Sequence, residues 1–136
     1  MAEVQKQAIK GVLLDIENNE AKAVEFVPEL ENYYSMLHCD MIQIVPRTLG
    51  YNRSHKVFDI VCDEEGTFKQ DAKISAISNT GKVRFVGSLL VIGLCDEEGN
   101  ETSLSDKECE FVLEKIQKMS TLNHPEGYLM LTQCEY

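Results

Sequence analysis

Ala8 to Ile16 (AIKGVLLDI) is largely apolar, the polar run ENNE at 17–20 interrupts it, and Ala21 to Val27 (AKAVEFV) resumes with alternation. Apolar stretches on both sides of a polar break predict two strands joined by a turn. Pro28 then stands where a helix can start, since a missing N–H costs nothing in a first turn. In ELENYYSMLHC, Leu30, Tyr33, Tyr34 and Leu37 fall at i, i+3, i+4 and i+7. That spacing is one face of a short amphipathic helix.

Two further hairpins follow. Met41 to Thr48 (MIQIVPRT) and Val57 to Cys62 (VFDIVC) alternate around LGYNRSHK, whose Gly50 and Asn52 favour a turn. Pro46 cannot donate to a ladder and suits an edge or a strand end. Lys73 to Ser78 (KISAIS) leads through Asn79-Thr80-Gly81 to a strand over Val83–Ile92, the most apolar in the chain and expected to be central. Ser105-Asp106-Lys107-Glu108 has the spacing of a capping box. Cys109, Val112, Leu113, Ile116 and Met119 extend one helical face to about Met119, with Glu114 and Lys118 as an exposed i,i+4 pair. GYLMLTQ near the end can add a strand.

Strand pairs punctuated by helices predict an α+β domain: a mainly antiparallel sheet with two helices packed on one face. The 136 residues, 43% of them hydrophobic, suit one globular domain over 1–136 with a sizeable core. There is no apolar run of membrane-spanning length. The N-terminal stretch ends in acids rather than a small-residue cleavage site, so a cytoplasmic location is expected. Five cysteines, an odd number without short paired spacing, read as reduced and mostly buried thiols.

The pentapeptide CDEEG occurs at Cys62–Gly66 and again at Cys95–Gly99. A calcium loop needs alternating acids and a Glu six residues after its glycine, and a zinc site needs further Cys or His. Neither copy has them. An apolar strand that ends at cysteine, followed by solvated acids and a glycine, is a surface turn, and no metal is expected. His38 and Cys39 are adjacent at a helix end and do not face each other, so capping and burial explain them better than a nucleophile with its base. No phosphate-binding loop, dinucleotide fingerprint, metalloprotease motif or nucleophile elbow is present, and neither a cofactor nor enzymatic activity is expected.

Charge is more informative. The net charge of −10 disfavours nucleic acid and anionic membrane as partners. From Cys95 to Glu114 there are eight acids and one lysine, among them Asp96, Glu97, Glu98, Glu101, Asp106, Glu108 and Glu110. Met41 to Phe58 has no acid and carries Arg47, Arg53 and Lys56, with Tyr51 and Asn52 between them. The first group suits docking onto a basic protein surface. The second can hold a phosphate or nucleotide, with Arg on oxygens and Tyr51 on a base. A polar hairpin tip balancing neighbouring acids explains the basic group better than a ligand does.

ELENYYSMLHCDMIQIVPRTLG, VFDIVCDEEG, ISAIS, GKVRFVGSLLVIG and TSLSDKECEFVL, in that order, resemble an uncharacterised small-domain family of phages and mobile elements of Gram-positive bacteria. The resemblance runs from Ala23 to Met119, and Pro46 departs from its pattern. It is carried by fold signatures, so it assigns no active site. It implies a counter-defence context. The expectation is a non-enzymatic inhibitor of a host defence protein, such as a CRISPR or restriction nuclease, acting through the acidic surface in the host cytoplasm. The alternative is a sponge, a homo-oligomer that sequesters a nucleotide second messenger through Arg47, Tyr51, Asn52, Arg53 and Lys56.

Overall fold

The ENNE run reverses the chain between β1 (Ile9–Asp15) and β2 (Glu20–Phe26), which pair antiparallel from Ile9↔Phe26 to Asp15↔Glu20. The Asp15 carboxylate accepts from the Asn18 backbone and side-chain N–H groups at 3.2 and 2.7 Å, and Asn19 takes a positive φ of 54°. This computed structural model describes residues 7–50, 56–63, 73–122 and 124–135. After Pro28, α1 (Leu30–Leu37) begins at an extended Glu29 and closes on His38 in the left-handed region, φ 55°. Tyr33 and Leu37 of its predicted face are buried, while Leu30 is exposed.

β3 (Ile42–Leu49) and β4 (Lys56–Asp63) pair antiparallel over their whole length. The next strands are β5 (Ile74–Ile77), β6 (Val83–Val86) and β7 (Leu89–Ile92), followed by α2 (Asp106–Glu114). β8 (Ile116–Met119), β9 (Tyr128–Leu131) and β10 (Cys134–Glu135) complete the chain. Six strands form one sheet in the order β10-β3-β4-β7-β1-β2, and four form a second in the order β6-β5-β9-β8. Every pairing is antiparallel except β5 with β9, which meet in parallel at Ala76↔Leu131. β10 covers only Leu49 and Thr48, so Pro46 sits where, among the described residues, β3 has β4 as its one neighbour. The fold is α+β. None of its helices is long and apolar enough to cross a membrane, among the described residues.

Three expectations need correction. The apolar run from Val83 to Ile92 is two strands in two sheets, broken at Gly87 with φ 85°. Gly87 N–H donates to the Lys73 carbonyl at 2.8 Å, and the neighbouring Ser88 hydroxyl accepts from Ile16 N–H at 3.0 Å. A glycine can take that backbone turn without a Cβ penalty. The second helix stops at Glu114 rather than near Met119. Ile116–Met119 instead pairs residue for residue with β9, from Ile116↔Leu131 to Met119↔Tyr128. Glu114 and Lys118 therefore share no helix. Four ladder pairs outweigh another turn on a nine-residue helix, which has little intrinsic stability.

The third correction concerns the helices, which cover opposite faces of the six-stranded sheet rather than one. Leu13, Val61, Leu90 and Ile92 point to the side of Tyr33 and Leu37 of α1. Val12, Leu14, Phe58, Ile60, Leu89 and Val91 point to the side of Cys109 and Val112 of α2, together with Phe85, Met130 and Leu131 of the second sheet. β7 is apolar on both faces, and β1 and β4 are buried along most of their length, so each face must be covered. β7 is central and fully buried, as the run of apolar residues predicts.

Candidate functional site

The acidic segment begins where β7 ends. Gly93 bridges to Thr102, with Gly93 N–H donating to the Thr102 carbonyl at 3.0 Å. This closes a short excursion that contains the second CDEEG. Asp96 organises its turn: one carboxylate oxygen accepts from the N–H groups of Glu98 and Asn100, both at 2.9 Å. Gly99 takes φ 81° and donates to the Asp96 carbonyl. These backbone donors hold the Asp96 carboxyl below its ordinary pKa, the Asn100 N–H most of all. Cys95 to Asn100 are exposed, as a surface turn requires. Glu64, Glu65 and Gly66 of the first CDEEG lie outside the described residues.

The segment then enters α2 through the predicted capping box. Ser105 Oγ accepts from Glu108 N–H at 3.1 Å, and Glu108 accepts from Ser105 N–H at 3.0 Å. Glu108 also meets Lys56 Nζ at 2.8 Å, and Asp106 meets Lys10 Nζ at 2.8 Å. Two of the seven acids are thus paired within the fold. Glu97, Glu98 and Glu110 are exposed, and Glu101 is half-buried.

The basic group is committed in the same way. Lys56 binds Glu108 and lies 6.0 Å from the Phe58 ring centre. Arg47 points between the sheets, its guanidinium 5.3 Å from the Phe85 ring centre and one N–H donating to the Pro46 carbonyl at 2.8 Å. Tyr51, Asn52 and Arg53 lie outside the described residues. The two candidate groups are therefore not independent, because Lys56 and Glu108 join them.

His38 ends α1, and its imidazole lies 3.5 Å from Asp15 and 3.8 Å from Glu17. Cys39 is buried, as are Cys62, Cys109 and Cys134. Burial pushes the Cys62 thiol up to about 11 and the Cys134 thiol up to about 12. Cys95 alone is exposed.

One carboxylate escapes a reading of the sequence. In VFDIVC, Asp59 sits at a polar position of an alternating strand and looks solvent-facing. It is 5% exposed, and one of its oxygens accepts from Cys95 N–H at 2.9 Å. An acid within a strand that is otherwise buried was the available signal.

A family model described as a domain of unknown function, DUF3846, matches residues 9–119. The chain belongs to the DUF3846 family. No curated protein and no solved structure matches it. In this DUF3846 domain the matched span holds the whole acidic segment, Lys56 and Asp59. β9 lies beyond the matched span, yet it pairs with both β5 and β8.

Proposed function

We propose that this DUF3846 domain is a non-catalytic binding protein that docks its acidic surface onto a basic partner. The resemblance to a phage and mobile-element family gives the partner its expected identity: a host defence protein, such as a nuclease, in the host cytoplasm. The observation that carries the reading is the placement of Glu97, Glu98, Glu101 and Glu110. They stand on backbone ordered by the Asp96 turn and the capped start of α2. Carboxylates on ordered backbone present a fixed negative pattern at low entropic cost. Such a pattern is attracted to the basic channels in which nucleases hold phosphate backbones.

The nucleotide-sponge reading comes second. An anion arriving at Lys56 competes with Glu108, and one arriving at Arg47 must enter beside Phe85.

The test immobilises the purified domain and exposes it to host lysate at about 0.05 M and about 0.5 M salt, where exposed charges are weakly and strongly screened. The parent should retain a protein at low salt, release it at high salt, and inhibit its nuclease activity. Glu97→Lys, Glu98→Lys and Glu101→Lys together should abolish retention while leaving the melting temperature nearly unchanged. Retention that is indifferent to both salt and the triple reversal overturns the proposal.

A further inference from the structure

α1 covers only part of its face of the six-stranded sheet. It packs over Leu13, Val61, Leu90 and Ile92, and towards β3 it leaves Ile44 partly exposed among the described residues. Cross-strand pairing puts Ile44 opposite Val61 and Pro46 opposite Asp59, so these four side chains share the α1 face. Ile44 is 40% exposed and Leu94 is 46% exposed. Together with Asp59 and Glu101 they line a cavity of about 310 Å³.

The chemistry of that cavity is unbalanced. Its walls are apolar, at Ile44, Pro46 and Leu94, yet the buried Asp59 contributes a carboxylate. Among the described residues no cation pairs with Asp59, and its hydrogen bond comes from Cys95 N–H. A carboxylate buried beside apolar walls, with Cys95 N–H as its hydrogen-bond donor, has acceptor capacity left for a cationic donor. The field is felt nearby. The Cys95 thiol is pushed up, by the Asp59 charge first and then by desolvation. Tyr33 is pushed up by burial first, with the Glu101 charge adding to it.

We propose that this cavity takes an arginine side chain presented by an apolar segment of the partner protein. The inference rests on the acidic-surface reading above and names the residue type that anchors it. A guanidinium is weakly hydrated, always charged and able to fork onto a carboxylate, while its three-carbon stem matches apolar walls. A volume near 310 Å³ lies at the small end of ligand cavities and suits one side chain. The exposed Glu97 and Glu98 nearby steer a basic segment toward it. Asp59 supplies the fixed contact.

The test uses the full chain and a fluorescein-labelled, amidated peptide of alternating arginine and leucine, with its lysine and glutamate counterparts. Binding is read by anisotropy, and the Cys95 amide by ¹⁵N NMR. The arginine peptide should bind, shift the Cys95 amide, and bind more tightly than the lysine peptide. Asp59→Asn keeps an acceptor for Cys95 N–H and should weaken binding by about thirtyfold or more, the scale expected for losing a buried charged contact. Ile44→Arg, at an exposed position, places the chain's own cation at the cavity and should block the peptide even if Asp59→Asn folds poorly. Unchanged affinity in Ile44→Arg, or in a folded Asp59→Asn, overturns the inference. Equal binding of the lysine peptide, or of spermidine, overturns the assignment to arginine of a protein. Glu97→Lys with Glu98→Lys leaves the cavity lining intact and separates the two proposals. If this pair abolishes peptide binding and Asp59→Asn does not, the acidic surface stands and the cavity falls. If Asp59→Asn abolishes binding and the pair has no effect, the cavity stands and the wider surface falls.

Discussion

Glu108 joins the two charged regions, and replacing it separates their contributions. Glu108→Gln keeps a carbonyl acceptor for Ser105 N–H but removes the charge that faces Lys56 Nζ at 2.8 Å. The pair is partly exposed, 53% at Lys56 and 24% at Glu108, so its worth is that of a surface ion pair, about 0.2–1 kcal/mol. Glu108→Ala also loses half of the capping box, bringing the total to about 1–1.5 kcal/mol. With an unfolding entropy of about 2.1 cal/mol/K per residue over 136 residues, that total lowers the melting temperature by about 3–5 °C. The Glu108 carboxyl is held below 4.5, because hydrogen bonds from Lys56 and Ser105 outweigh the desolvation that is its largest single influence. A group depressed in the folded state stabilises fully above its unfolded pKa and loses that contribution as pH falls through the folded value. Parent and Glu108→Gln should therefore differ at pH 7 and converge as pH drops below about 4.5. Thermal melts across this range, with Lys56→Met completing a double-mutant cycle, measure the effect. A gap that persists at low pH, or strictly additive substitutions, would refute the pairing and return Lys56 to the anion-binding candidates.

Two other expectations follow from the same region. Gly93→Ala drives a Cβ against the Thr102 hydroxyl and to 3.0 Å from its carbonyl, so it should cost about 1–3 kcal/mol in urea unfolding; a neutral result refutes the close approach. Brief alkylation with iodoacetamide at mildly alkaline pH should mark Cys95 before the buried cysteines, and Asp59→Asn should speed it by removing the charge that disfavours the thiolate; mass spectrometry showing Cys62 or Cys134 labelled as fast as Cys95 refutes the reasoning.

Local pattern was enough for the hairpins and for the start of both helices. Period-two alternation survives in part in β2 and β3, β1 and β4 are instead buried along most of their length, and the Ser105–Glu108 spacing forms its box because both partners lie within one turn. Even the break in the long apolar run had a local mark, Gly87-Ser88, though only the two separate sheets show what it separates. What the sequence left open depends on contacts between distant residues. Ile116 and Met119 fit a helical face as well as a strand, and pairing with Tyr128–Leu131 decides between them. The apolar run of β7 cannot say which helix covers which of its faces. Lys56 and Glu108 are 52 positions apart and read as members of opposing sites until the fold brings them to 2.8 Å. Asp59 shows the limit most plainly. Alternation gives a side chain its face of a strand, but whether that face meets water or a cavity depends on how far α1 reaches across the sheet.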